Sequence, residues 1–128
     1  MSYYISRTIE SGFDKAVAEV IDALKQEGFG VLTDIDVAAT MKQKLGIDFR
    51  PYRILGACNP PLAHKALSAE DKIGVMLPCN VIVQEAGAGK VEVAAIDPRP
   101  AMERVGTPAL TDLANEVADK LTRIISAI

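Results

Sequence analysis

Strand-like segments in this sequence come in runs, with one long amphipathic helix pattern near each end of the chain, and this order limits the folds open to it. Apolar residues recur at helical spacing between Phe13 and Leu24, and again between Leu110 and Ile128. The segments between them are mostly typical of strands. Because strands and helices do not alternate strictly, as they do in a doubly wound parallel sheet, the order favours an α+β fold.

The periodicity predicts five strands and two main helices. Alternating, β-rich segments predict strands at residues 2–9, 30–37, 52–58, 79–85 and 90–97. The first main helix is expected to begin near Phe13 and to end at Gly28, and the second follows Thr107 and Pro108. Residues 86–89 form a glycine-rich segment before Lys90, but the spacing of a phosphate-binding loop is absent, and a hairpin turn is expected there.

Short helices are expected to decorate this framework. Asp36 is a candidate cap for a helix that ends before Gly46, and Asn59 is a candidate cap for a helix that begins with two prolines and runs to about residue 69. Ser11, three residues before Asp14, resembles a capping box at the start of the first main helix. Residues 71–77 are expected to form a short irregular or helical turn.

Length and composition predict one folded domain over residues 1–128. A chain of 128 residues with 49% hydrophobic and 24% charged residues has ordinary globular composition and is long enough to bury a core without disulfides. The net charge of −3 makes nucleic acid an unexpected partner. Since no apolar run approaches the length of a membrane span, we expect no membrane partner and a cytoplasmic protein, in which Cys58 and Cys79 are free thiols.

The sequence offers little support for a hydrolytic triad or a metal centre. The single histidine, His64, has no serine or carboxylate at a spacing that local structure would bring to it, and a helix-surface position explains it equally well. Neither a Cys-x-x-Cys pair nor a second histidine accompanies the two cysteines. We therefore predict no metal and no cofactor.

A basic segment in the middle of the chain is a candidate anion site. Between residues 42 and 65 five basic residues face a single acidic one, Asp48, and they are Lys42, Lys44, Arg50, Arg53 and Lys65. Guanidinium groups are suited to carboxylates and phosphates, so Arg50 and Arg53 are candidate ligands for a small anion. A solvated surface or a contact between two copies of the chain explains the same pattern.

Two Cys-Asn pairs, Cys58-Asn59 and Cys79-Asn80, are candidates for thiol chemistry. Cys58 precedes a predicted helix N-terminus, where the helix dipole favours a thiolate. The next two residues are prolines without N–H groups, and Asn59 is expected to cap Leu62, so any activation is partial. Burial of both cysteines as small apolar side chains is the alternative.

Four motifs in this order resemble a small prokaryotic family, domain of unknown function 302. They are GFGVLTDID at 28–36, KLGIDFRPY at 44–52, GACNPP at 56–61 and LPCNV at 77–81. The matched motif positions are Asp36, Arg50, Tyr52, Cys58, Asn59, Pro60, Cys79 and Asn80. The resemblance implies a TATA-binding-protein-like β-α-β4-α fold, with five antiparallel strands and two main helices on one face, and a homodimer. It implies no reaction, and the fold name gives no reason to expect DNA binding.

These observations lead to one hypothesis and two alternatives. The hypothesis is a homodimeric module that binds a small anionic metabolite in a cleft near the Cys-Asn pairs, built from Arg50, Arg53, Cys58, Asn59, His64, Cys79 and Asn80. The first alternative is a thiol-dependent enzyme or redox carrier that uses Cys58 or Cys79. The second is an interaction protein without a ligand.

Overall fold

The computed structural model describes residues 2–128 as five strands, five α-helices and one short 3₁₀ helix. Along the chain these elements are β1 (Tyr4–Glu10), α1 (Phe13–Gln26), β2 (Gly30–Asp36), α2 (Val37–Leu45), β3 (Tyr52–Cys58), α3 (Pro60–Ala69), the 3₁₀ helix (Ile73–Met76), β4 (Cys79–Glu85), β5 (Lys90–Ile96), α4 (Arg99–Val105) and α5 (Pro108–Ala127). In this part of the chain no helix is both long and apolar enough to cross a membrane.

The strands form one antiparallel sheet in the order β1-β5-β4-β3-β2. The first two strands along the chain are therefore the two edges of the sheet, and α1 crosses from one edge to the other. The three later strands fill the centre as neighbours. This arrangement places the end of β3 beside the beginning of β4, with Ala57 directly opposite Cys79.

The main core lies between one face of the sheet and helices α1 and α5. Alternate residues of the central strands point to this face, as the period of a strand requires. The buried side chains that meet there are Ala16, Val17, Val20 and Leu24 of α1, Phe29, Leu55 and Ala57, Val81 and Val83, Val91, Val93 and Ala95, and Leu121, Ile124 and Ile125 of α5. Both main helices thus cover the same face, and the other face is left open.

A smaller core lies past the ends of β3 and β4. Residues of α3, the 3₁₀ helix, α4 and the first half of α5 meet in it, and its buried members are Ala66, Ile73, Met102, Leu110 and Ala114. These elements pack against one another as well as against the sheet. They therefore surround the space next to the end of β3 and the beginning of β4.

The structure confirms the α+β class, the five antiparallel strands and the two main helices on one face. Asp36 caps α2 as expected, since its carboxylate accepts a hydrogen bond of 2.9 Å from the Ala39 amide. Gly28 follows the end of α1 with a φ of +84°, a conformation that glycine adopts without strain.

One local expectation was wrong, and one helix was not predicted. Gly12, not Ser11, is the N-cap of α1, and no side chain caps this helix; the Ser11 hydroxyl instead donates to the Gly12 carbonyl. Helix α4 was not expected, because Asp97-Pro98 marks the end of a strand and a second proline follows at position 100. Pro100 lies in the first turn of α4, where a proline is tolerated because its missing N–H would have no partner.

Candidate functional site

An apolar cavity of about 350 Å³ lies between the ends of β3 and β4 and the helices of the smaller core. None of the described residues that line it carries a charge. The lining residues come from seven elements and the loops beside them, and they include Leu62, Ala63, Ala66 and Leu67 of α3, Met102 of α4, and Leu110, Leu113, Ala114 and Val117 of α5. We refer to this space as the apolar cavity.

Polar groups enter the wall of the apolar cavity only at its sheet end, where Cys58, Asn59 and Cys79 line it. The Asn59 amide is held from two sides. Its Oδ1 accepts a hydrogen bond of 3.5 Å from the Leu62 amide at the start of α3, and its Nδ2 donates one of 3.3 Å to the Glu27 carbonyl at the end of α1. Asn59 therefore joins the start of α3 to the end of α1.

Both cysteines are free thiols and both are half-buried. Burial, and to a lesser extent the charge of Cys58 nearby, raise the pKa of the Cys79 thiol to about 11. Cys79 is thus protonated at neutral pH, which is the opposite of an activated nucleophile. The Leu62 amide, the first available donor of α3, is already bonded to Asn59.

The two candidate arginines lie at the other end of β3. Arg53 forms a cross-strand ion pair with Asp34 of β2, in which its Nε lies 2.7 Å from Oδ1 and its second nitrogen contacts Oδ2. The hydrogen bonds from Arg53 hold the pKa of the Asp34 carboxyl below its usual value. Neither Arg53 nor Arg50 lines the apolar cavity.

Arg50 belongs to the open face of the sheet. Its guanidinium carbon lies 4.6 Å from the centre of the Phe49 ring and 5.5 Å from that of Tyr52, and its Nε donates a hydrogen bond of 2.9 Å to Gln84. Gln84 in turn donates one of 2.8 Å to Glu92 of β5. This polar chain runs from the segment before β3 to β4 and β5, and it occupies one donor of Arg50, the Nε.

His64 and Asn80 also lie outside the apolar cavity. His64 is exposed on α3, where its backbone carbonyl accepts a hydrogen bond of 2.8 Å from the Ser68 hydroxyl. Asn80 is exposed and lines a groove on the open face. The structure therefore brings Cys58, Asn59 and Cys79 together, and it places the other four candidate residues elsewhere.

The model of the family described as domain of unknown function DUF302 matches residues 5–128. The chain belongs to this family. No curated protein matches this DUF302 domain in sequence.

A solved structure agrees with the family assignment. The crystal structure of an uncharacterized conserved protein DUF302 from Bacillus stearothermophilus matches this DUF302 domain with a TM-score of 0.90. The two sequences are 28% identical, and the match covers 98% of each chain. The same arrangement of strands and helices therefore extends over both chains.

Sequence reasoning missed several residues that shape the site of this DUF302 domain. Glu27 connects three elements, since its carbonyl accepts from Asn59 and its carboxylate binds Arg123 and Lys120 of α5. The hydrogen bonds from Arg123 lower the pKa of Glu27. Met102 was missed together with its helix. No local pattern marks these residues, because their partners are distant in sequence.

The open face carries a second cavity, a groove of about 460 Å³. Tyr3, Tyr4 and Tyr52, the three tyrosines of the chain, all line it. The sequence gives no reason to group them, because Tyr52 lies far along the chain from the other two. Tyr4 begins β1 and Tyr52 begins β3, and the groove between them on the open face spans β5 and β4.

Proposed function

We propose that this DUF302 domain is a binding module for a small, mainly apolar ligand, and that the ligand occupies the apolar cavity. The observation that carries the proposal is the cavity itself, with about 350 Å³ of space and no charged residue among the described residues that line it. Cavities of this size are within the usual range for small-molecule sites, which are mostly apolar with a few fixed polar groups. Asn59 is such a group, because both ends of its amide are already anchored.

The same observations argue for an apolar ligand over the anion that the basic segment suggested. Arg53 is paired with Asp34, and Arg50 is stacked on two rings and bonded to Gln84. An anion in the apolar cavity would have no counter-charge and would lose its hydration, which is costly. Any polar end of the ligand is therefore expected at Asn59.

We also propose that the domain is a cytoplasmic homodimer that associates through the open face of the sheet. Ile35, Ile54, Ile82 and Ala94 lie side by side on four neighbouring strands, in an apolar row that the helices do not cover. Ile35 is 47% exposed. A second copy would bury this row, and the family resemblance implies a dimer as well. The two free thiols support a reducing compartment.

A neutral fluorescent probe tests the ligand proposal. N-phenyl-1-naphthylamine should bind with a stoichiometry of one per domain, and Ala114→Leu should weaken binding because Ala114 lines the apolar cavity. Ala118→Leu is the matched control, since Ala118 is buried one turn later on α5 and does not line the cavity. A ligand at 100 times its Kd should add about 2.7 kcal/mol to stability, which is read as a rise in Tm.

Two results would contradict the ligand proposal. One is the absence of saturable binding of the neutral probe. The other is binding of only an anionic analogue, lost in Arg50→Ala and unchanged in Ala114→Leu, which would restore the anion hypothesis.

Light scattering tests the dimer proposal. The wild-type domain should give about twice its chain mass of 13.7 kDa. Ile82→Glu should give a folded monomer, because it places a charge in the middle of the apolar row. A monomeric wild-type protein at micromolar concentration would remove the dimer.

A further inference from the structure

The apolar cavity is longer than it is wide. Its lining on α5 runs from Leu110 to Val117, which is about 10 Å at the rise of an α-helix. On α3 the lining covers one face from Leu62 to Leu67. With the length of about 10 Å that this helical rise gives, a volume of about 350 Å³ leaves an average width of about 6 Å.

The volume and the length of the cavity both match one unbranched alkyl chain. A methylene group takes up roughly the space of one molecule of liquid water, about 30 Å³, so about 350 Å³ holds about ten of them. An extended chain of carbon atoms advances about 1.2 Å per bond, as an extended peptide backbone does, so ten carbons reach about 11 Å. A branched or caged ligand of equal volume would be shorter and wider than the cavity.

The surface of the cavity is aliphatic. Phe29 is the single aromatic residue among the described lining residues, and it is 2% exposed, so its ring offers little area for stacking. Flat aromatic ligands gain from contacts with rings. The flexible side chain of Met102 and the small one of Ala66 instead leave an irregular apolar wall, which suits a flexible alkyl chain.

A bulge in β2 lies where the cavity meets solvent. The register of β2 against β3 shifts between Val31 and Thr33, so Leu32 is an extra residue between paired ones. Leu32 lines the cavity although it is 68% exposed, and so does Leu67 of α3, which is 44% exposed. Bulges redirect side chains and are common beside active sites. These two exposed leucines mark the mouth of the cavity.

We propose that the ligand is a single unbranched alkyl chain of about eight to ten carbons with an uncharged polar head, such as a hydroxyl or a primary amide. Asn59 positions the head. Within residues 2–128 its Oδ1 accepts one hydrogen bond and its Nδ2 donates one, which leaves a lone pair and an N–H for the ligand. This inference rests on the proposed function, because it names the class of ligand for the same cavity.

Displacement of N-phenyl-1-naphthylamine by straight-chain alkan-1-ols, below their solubility limits, tests the length of the chain. From hexan-1-ol to decan-1-ol the affinity should rise about fourfold per carbon, because each methylene is buried on binding. From decan-1-ol to dodecan-1-ol it should level off, because the cavity is full.

Two further compounds test the shape of the ligand and the charge of its head. Cyclododecanol carries the same hydroxyl on a wide ring, and it should bind at least about fivefold more weakly than decan-1-ol, because overpacking costs at least that factor. Decanoate at pH 8 has the same number of carbons and a charged head. It should bind at least about tenfold more weakly, because a carboxylate loses its hydration in the cavity without gaining a counter-charge.

The variant Ala66→Leu and its control Ala69→Leu test the place of binding. Ala66 is 9% exposed on α3 and lines the cavity, so the larger side chain should shorten the best alcohol by about three carbons, the number that it adds. Ala69 is exposed at the end of the same helix and does not line the cavity. Ala69→Leu should leave the alcohol series unchanged.

Failure of the alkyl-chain inference and failure of the proposed function give different results. Saturable binding of N-phenyl-1-naphthylamine would keep the cavity as a site, while any of three results would reject the alkyl chain. They are an alcohol series that does not level off, cyclododecanol or decanoate as effective as decan-1-ol, and an unchanged series in folded Ala66→Leu. If that variant does not fold, the wild-type series decides alone. No saturable binding of N-phenyl-1-naphthylamine would reject the proposed function and this inference with it.

Discussion

Filling the apolar cavity should stabilise the fold while it removes the space for a ligand. Ala114 is 3% exposed on α5 and lines the cavity, so Ala114→Leu would direct three more carbon atoms into open space. Full burial of three carbons at about 0.8 kcal/mol each would add about 2.4 kcal/mol. Because the cavity opens to solvent on one side, we expect about 1–2 kcal/mol.

The same substitution one turn later should have the opposite sign. Ala118 is 1% exposed and does not line the apolar cavity, so the larger side chain has no free space to enter. Overpacking of this kind costs about 1–3 kcal/mol. Leucine is nearly as good a helix former as alanine, so helix propensity contributes little to either value.

Urea unfolding and thermal melting of the two variants measure the difference. For a domain of 128 residues, 1 kcal/mol corresponds to a change in Tm of about 4 °C, so the two variants should melt on opposite sides of wild type. Equal destabilisation by both variants would refute the reasoning, because it would mean that the space beside Ala114 is closed.

Three further results are expected. Gly56→Ala should lower the free energy of unfolding, measured in urea, by about 1–3 kcal/mol, because the new Cβ would overlap the Thr33 hydroxyl. Adding Thr33→Ala should recover part of that loss, and simply additive losses in the double variant would contradict this explanation. Hydrogen bonds from Arg99 are the main reason that the pKa of Asp97 is lowered, so the ionised carboxylate should stabilise the fold fully above about pH 4, and this stabilisation should be lost as pH falls through the folded-state pKa. Asp97→Asn should flatten this part of an acid titration of the free energy of unfolding, and an unchanged profile would count against the argument. Arg53→Ala and Asp34→Ala should show a coupling energy of about 0.5–1 kcal/mol in a double-mutant cycle, and a coupling of zero would mean that the pair is only a surface contact.

The framework of the fold could be predicted because its elements have strong local signals. Strand β3 and helix α3 coincide with the predicted segments, since alternation and the Asn59-Pro60 cap are both visible in the sequence. Helix α4 could not be predicted in this way. It has seven residues and contains a proline, and its Met102 is buried only because α5 packs beside it.

The candidate site was harder to predict, because adjacency along a strand does not bring charges and thiols to one place. Arg53 and Cys58 lie five positions apart on β3, so an extended strand separates them by about 16 Å. Arg53 is also paired with Asp34, a contact set by the register of β2 against β3. Only Cys58, Asn59 and Cys79 lie together, because the β3–β4 register places the end of β3 beside the start of β4.

The position of β1 at an edge of the sheet determines when the sheet can be completed during synthesis. Its strand neighbour is β5, and Glu10 pairs with Lys90, 80 residues later in the chain. At about 5–20 residues per second, the ribosome needs about 4–16 s to supply that partner. For this time the N-terminal strand is a free template for pairing with other chains, so the nascent chain is at its most aggregation-prone before β5 emerges.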